Sequence, residues 1–280
     1  MKITDEMIRN YKNYLITEEK SEVTIEKYIR DIKTLSLWLG KREITKQELL
    51  SYKAKLIEDY APASVNSVIA SINGFLMFHK LYDLKIKILK IQKQLFCKKE
   101  KELTKAEYER LLKAAKSKRN ERLYLIMQTI CGTGIRVSEL KFITCEAVAN
   151  HKTTVNLKGK VRIILLPKEL CKLLSKYIKE QNIKSGPVFI TRNGNPLSRH
   201  DIWRSMKALC NTAGVDKAKV FPHNLRHLFA RTYYAIQKDI VRLADILGHS
   251  SINTTRIYTI EDGEIHRRQM QKLGLVHLTA

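Results

Sequence analysis

Acidic residues are scarce in this chain. In 280 residues, 28 Asp and Glu stand against 52 Lys and Arg, a formal net charge of +24. So one-sided a surface repels itself and is best tolerated beside a polyanion, nucleic acid above all. Long apolar runs are missing too. The longest, Leu123 to Met127, falls far short of the about 18 residues of a membrane span, which excludes integral membrane insertion. The opening Met1-Lys2-Ile3-Thr4-Asp5-Glu6 has neither the apolar stretch nor the cleavage site of a signal peptide, so a cytoplasmic location is expected. Cysteines are few: Cys97, Cys131, Cys145, Cys171 and Cys210 are an odd number without a C-x-x-C pair. That argues against a disulfide framework and a zinc ribbon, and leaves reduced thiols in or near the core.

Only 11 glycines and 5 prolines punctuate the chain, and apolar residues recur at three- and four-residue spacing, so the fold class is mainly α. Val23, Ile25, Tyr28, Ile32, Leu35 and Leu39 form one such stripe between the capping candidate Ser21 and Gly40. Further helices are predicted at about 45–59, 62–81 and 86–95, and again from Thr104, over 121–131, and at about 198–213, 223–235, 238–246, 251–260 and 263–272. The period changes only over 153–166, where Lys158-Gly159-Lys160 separates two alternating segments in a β-hairpin pattern, and over Pro187–Thr191, an extended piece before the turn signal Asn193-Gly194. The charged, aperiodic stretch after Phe96 reads as a linker. Two domains follow: 1–97, helical, and 104–280, α+β, joined by 98–103. Residues 1–100 carry 19 basic and 13 acidic side chains, the remainder 33 and 15, so most of the field belongs to the second domain.

That domain also holds the reactive groups, in Thr133-Gly134-Ile135-Arg136-Val137-Ser138-Glu139-Leu140, in His223-Asn224-Leu225-Arg226-His227, and in Leu247-Gly248-His249 with Tyr258. Singly each has a plainer role: Tyr258 as a packing residue, Arg136 as a partner of Glu139, Arg226 as a surface helix charge, His249 as a cap. Together they suit displacement at a phosphodiester. A tyrosine hydroxyl attacks phosphorus, two guanidinium forks hold the non-bridging oxygens, imidazoles donate hydrogen bonds or move protons, and a lysine protonates the departing oxygen. His223 and His227 have the spacing of a zinc pair, but Asn224 stands where H-E-x-x-H needs its glutamate, and no metal or other cofactor is implied.

With these residues the sequence resembles the tyrosine recombinase family of phage integrases. Thr133–Leu140 matches its T-G-x-R-x-[SG]-E-L motif, His223 and Arg226 its H-x-x-R, and Leu247, Gly248, His249 and Tyr258 its L-G-H-x8-Y; Thr24, Tyr28 and Asp31 fit its N-terminal domain. The resemblance implies a SAM-like core-binding domain followed by a catalytic domain, and a C-shaped clamp on double-stranded DNA. It also implies a homotetrameric synapse that exchanges strands through a Holliday junction, aided in some systems by accessory proteins. Implied catalytic residues are Arg136, Lys158, His223, Arg226, His249 and Tyr258, with Glu139 orienting the pocket. In the family the lysine lies in G-K-G-x-K-x-R. Here Leu157-Lys158-Gly159-Lys160-Val161-Arg162 lacks the first glycine and one spacer, so Lys158 is the choice and Lys160 the alternate. The chemistry implied is cutting and rejoining through a 3′-phosphotyrosyl link, without metal or ATP, in a Xer-like or simple mobile-element enzyme. A DNA-binding architectural protein of the same fold is the alternative, and a relaxing topoisomerase is disfavoured by the short two-domain layout.

Overall fold

A computed structural model describes residues 2–91, 102–157, 160–191, 193–258 and 270–273, with the backbone alone at Leu157 and Lys160. The chain divides into two compact units, Met1–Lys93 and Gln94–Ala280. Most of the linker expected at 98–103, and the tail beyond Tyr258 apart from 270–273, lie outside the described residues.

Among its described residues the first unit holds four α-helices, α1 Asp5–Thr17, α2 Glu22–Leu39, α3 Lys46–Asp59 and α4 Pro62–Phe78, and a 3-10 turn, Tyr82–Leu84. Their starts follow from local chemistry. Thr4 and Thr45 accept hydrogen bonds from the exposed N–H groups of Met7 and Glu48, and Pro62 enters the first turn of α4, where no N–H is needed. Ile32 and Leu35 of α2 are fully buried with Leu49, Ile69, Ile72 and Phe75, whereas Val23, the first residue of the expected stripe, is 76% exposed. The buried Asp31 carboxylate accepts from Lys27 Nζ at 2.6 Å and Ser71 Oγ at 2.7 Å, which meets the cost of its desolvation.

A short helix expected from residue 86 is not formed as far as Ile91, where the described chain pauses. Two α4 side chains take the backbone groups it would need. The Asn73 amide bonds both the N–H and the carbonyl of Ile86, and the Asn66 amide does the same at Leu89. The segment is extended because α4 supplies a ready-made ladder for it.

The second unit begins with α5 Lys105–Ser117, opened by a reciprocal capping box between Thr104 and Glu107, and α6 Glu121–Thr133. A 3-10 turn, Val137–Phe142, and α7 Cys145–Ala149 lead into an antiparallel hairpin, β1 Lys152–Leu157 and β2 Lys160–Leu165. Its ladder runs from Lys152↔Leu165 to Leu157↔Lys160. Val155 and Ile164 face inward; Val161, Ile163 and Leu165, on the other face of β2, are exposed. Helices α8 Lys168–Glu180, α9 Arg199–Lys207, α10 Cys210–Ala213, α11 Pro222–Gln237, α12 Ile240–Leu247 and α13 Ile252–Thr255 follow, and a 3-10 turn, Arg256–Tyr258, ends this stretch. The extended piece at 187–191 makes isolated bridges, Thr144↔Pro187 and Ile190↔Pro196, instead of a strand. The core gathers Leu111, Met127, Ile130, Ile143, Leu174, Met206 and Leu225. Cys171 and Cys210 are buried free thiols, Cys131 and Cys145 are half-buried ones, and Cys97 lies outside the described residues. No described helix is long and apolar enough to cross a membrane.

Candidate active site

The three motif segments meet around the C-terminal end of α12. Helix α6 stops at Gly134, whose φ of +66° turns the chain back; a Cβ there would lie 2.4 Å from the Phe229 ring, so the position needs both the backbone freedom and the missing side chain. Two residues on, Arg136 opens the 3-10 turn. Its N–H donates to Glu139 Oε2 at 2.7 Å and its Nη1 to Oε1 at 3.3 Å. Glu139 is 2% exposed and also pairs with Arg162 of β2. One buried carboxylate therefore serves two guanidinium groups, and Arg136 keeps 40% of its side chain exposed.

Arg226 stands on α11 one turn after His223. The plainer role of a surface helix charge does not hold: at 1% exposure it is the largest fully buried side chain among the described residues. Its Nη1 donates to Gly134 O at 2.5 Å, and its Nη2 to Leu247 O at 2.7 Å and to His249 Nε2 at 3.0 Å, while Nε is buried with no partner. Arg136 Nη1 reaches the same Leu247 carbonyl at 3.4 Å. Carbonyls at a helix end have no partner within the helix and carry the negative pole of its dipole, so the end of α12 suits cations.

His249 follows the left-handed Gly248 that closes α12, instead of sitting at a helix start. Because a guanidinium only donates, His249 Nε2 accepts, and the proton on Nδ1 goes to Thr255 Oγ1 at 2.8 Å. Thr255 is fully buried and was not singled out from sequence, where nothing marks it. Tyr258 is 5% exposed, with its ring stacked 6.0 Å from His249 and edge-on to His227 at 4.9 Å; His227 in turn meets His223 at 4.6 Å. The structure thus brings Arg136, His223, Arg226, His249 and Tyr258 to one site. Lys158 lies outside the described residues, and of Lys160 only the backbone is placed.

Electrostatics follow from this crowding. Burial, then Arg226, Arg136 and Arg162, pushes the His249 imidazole down to about 4. Burial and the neighbouring His223 and Arg231 push His227 down to about 4, and burial followed by Arg226 and Arg136 lowers His223. All three are neutral at pH 7. Burial foremost, then Arg136, lowers Arg226 to about 10, which leaves it cationic. Cavities of about 600 and 930 Å³ flank Arg136; the first is walled by Trp203, Phe221 and His223, the second by Arg162, Gly248 and His249. No group of three or more His, Cys, Asp or Glu among the described residues is placed to hold a metal ion.

Comparison with known proteins gives the same answer from a different direction. Residues 101–264 match the phage integrase family, and residues 8–81 its N-terminal SAM-like domain. The chain is 31% identical over 269 residues to tyrosine recombinase XerA of Pyrococcus furiosus, covering 92% of this chain and 90% of that protein. It is 29% identical to XerA of Thermococcus kodakarensis over 97% of this chain and 96% of the other. Among solved structures, a XerA recombinase crystal structure aligns over 99% of this chain and 100% of its own, with a TM-score of 0.53 and 26% identity. A lambda integrase tetramer bound to a Holliday junction aligns over 90% and 76%, with a TM-score of 0.73 and 19% identity. Matches that run through both compact units, with the arginine and tyrosine motifs gathered at one helix end, show that this chain belongs to the phage integrase family of tyrosine recombinases.

Proposed function

We propose that this pocket performs the strand cleavage and rejoining of site-specific DNA recombination, with Tyr258 as nucleophile. The observation that carries the proposal is the convergence of Arg136, Arg226, His249 and Tyr258, because a protein that only binds DNA has no use for a buried tyrosine ringed by phosphate-binding groups. Tyr258 Oη bonds to phosphorus as the P–O5′ bond breaks. The phenolic proton passes to His223, whose lowered pKa leaves it free to accept, or to solvent, and Lys158 gives a proton to the leaving O5′. Arg136 and Arg226 bind the non-bridging oxygens as charge builds, Arg226 with the Nε donor that has no other partner. Released from Arg226, His249 donates to a phosphate oxygen in its other tautomer, with the proton on Nε2 and Nδ1 accepting from the Thr255 hydroxyl. The products are a 3′-phosphotyrosyl link and a free 5′-hydroxyl. The ester conserves the bond energy, so rejoining needs no ATP.

Solved relatives include XerH bound to its difH substrate before cleavage and the lambda integrase tetramer on a Holliday junction. By analogy the partner here is duplex DNA, the working form is a tetramer on that DNA, and the reaction takes place in the cytoplasm. Residues 1–97 and 104–280 would each contribute contacts to that DNA. The charge of +24 supports phosphate contacts well beyond the pocket.

The test is a duplex selected by the protein from a random-sequence pool, built with a nick that traps the covalent product. Wild type should form an adduct that Tyr258→Phe loses while still binding. Binding without any adduct would favour the architectural alternative.

A further inference from the structure

Arg162 lies in the hairpin, outside the six residues assigned to catalysis, and it is tied to more of the site than any other described hairpin residue. Its Nη2 pairs with the buried Glu139, the carboxylate that holds Arg136 by both backbone and side chain. Its Nη1 donates to Ile246 O at 2.5 Å, one residue before the carbonyl shared by Arg136 and Arg226. Its stem crosses Gly248 so closely that a Cβ there would lie 2.5 Å from Arg162 Cδ. The side chain is 13% exposed, so it is a fixture of the interior and not a surface cation.

The same face of the hairpin is anchored by apolar side chains. Val155, opposite Arg162 in the register, is buried, as is Ile164, while the outer face of β2 is exposed. The ladder closes at Leu157↔Lys160, with Lys158 four residues before Arg162 in the chain. A two-stranded ribbon flexes about its base unless its outer part is tied down. Arg162, with Val155 across from it, is the last inward-facing position described before the turn, and its two forks end on groups that also set Arg136 and the approach to His249.

We propose that Arg162 is a positioning residue, which fixes the lysine-bearing hairpin against the phosphate pocket so that the leaving oxygen is protonated as the phosphotyrosyl bond forms. This rests on the reading above, in which a hairpin lysine is the acid. A lysine would not substitute for Arg162, because a single ammonium cannot reach Glu139 and Ile246 O in the forked geometry of a guanidinium.

The chemistry of the leaving group tests this apart from fold stability. With sulfur in place of the bridging 5′ oxygen, the departing thiolate has a pKa near about 8.5 and needs no acid. Nicked duplexes carrying O or S at that position would be offered to the full-length wild type, Lys158→Ala, Lys160→Ala, Arg162→Ala and Arg162→Lys. On oxygen, both Arg162 variants should slow adduct formation by about 100-fold, the scale of a lost general acid, and on sulfur they should return to within about fivefold of wild type. The lysine that acts as acid should behave the same way. Should Arg162→Ala not fold, Arg162→Lys carries the comparison. Rescue of the lysine variant without rescue of Arg162→Lys would overturn the positioning role and leave the reading of the site intact, as would an Arg162→Lys rate equal to wild type on oxygen. No adduct from wild type, or lysine variants with undiminished rates on oxygen, would overturn both.

Discussion

Arg136 and Arg226 donate to the same acceptor, the carbonyl oxygen of Leu247, at 3.4 and 2.7 Å. One stands at the head of a 3-10 turn and the other in the second turn of α11, so this shared oxygen is where two distant motifs become one anion-binding site. The guanidinium groups are held close enough to grip a single phosphate, although like charges repel. Carbonyls at the end of α12 and the carboxylate of Glu139 are what make that spacing tolerable.

Arg226→Lys keeps the charge and loses the fork that reaches Gly134, Leu247 and His249. Single-turnover cleavage should fall by about 10²- to 10³-fold, the scale of a lost transition-state donor, with binding of the duplex little changed. A rate within threefold of wild type, taken as roughly the spread of such measurements, would show that point charge alone suffices.

Glu139→Gln removes the negative charge facing Arg136 and Arg162. Breaking a buried pair on one side leaves uncompensated cations, so unfolding stability should drop by about 3–5 kcal/mol and cleavage should fail with it. Urea unfolding followed by Trp203 fluorescence in a Trp38→Phe background reads the catalytic unit alone.

The histidines give the site a pH signature. His227 and His249 bind protons in the folded chain only near pH 4, against about 6.5 when unfolded, so the unfolded state holds more protons between those values. Stability should therefore fall as the pH drops through that window. His227→Gln should flatten part of the slope of melting temperature against pH relative to wild type; an unchanged slope would remove His227 from the account.

Two left-handed glycines of the catalytic unit should respond differently to alanine. At Gly214 the added methyl meets nothing within 4 Å, so only backbone strain of about 1 kcal/mol is expected. At Gly134 it strikes Phe229, adding an overpacking cost of about 1–3 kcal/mol and displacing Arg136. Urea midpoints for the two variants should rank accordingly, and only Gly134→Ala should lose cleavage.

Because guanidinium groups carry the charge on phosphorus, cleavage should be unchanged in EDTA. A chelator-sensitive rate on the same nicked duplex would assign part of that work to a metal.

Helix positions were legible in the sequence wherever caps and apolar spacing are local properties, as at Thr104-Lys105-Ala106-Glu107 and from Ser21 to Gly40. The phosphate-binding motifs were legible through family resemblance, and their convergence required the fold. Three features depended on contacts between distant segments and carried no local signal. Arg226 looks like any helix-surface arginine until Gly134 and Leu247 close over it. Thr255 matters only because His249 turns toward it. Residues 86–91 have helical spacing, yet the Asn66 and Asn73 amides offer their backbone better partners than a new helix would. Arg162 was visible within the hairpin motif, but its link to Glu139 crosses 23 positions that no periodicity spans.

Of the acceptors used by Arg136, Arg162 and Arg226 among the described residues, only Glu139 bears a formal charge; the rest are backbone carbonyls and a neutral imidazole. Dipoles can steady a cation without cancelling it, so three arginines share one carboxylate and the cluster keeps a net positive charge, only part of which the half-exposed Arg136 presents to water. That surplus is a standing liability for thermal endurance and an asset for catalysis. A second carboxylate engineered beside these arginines would make a sturdier protein and a silent enzyme, which sets a limit on how far this scaffold can be hardened without losing its purpose.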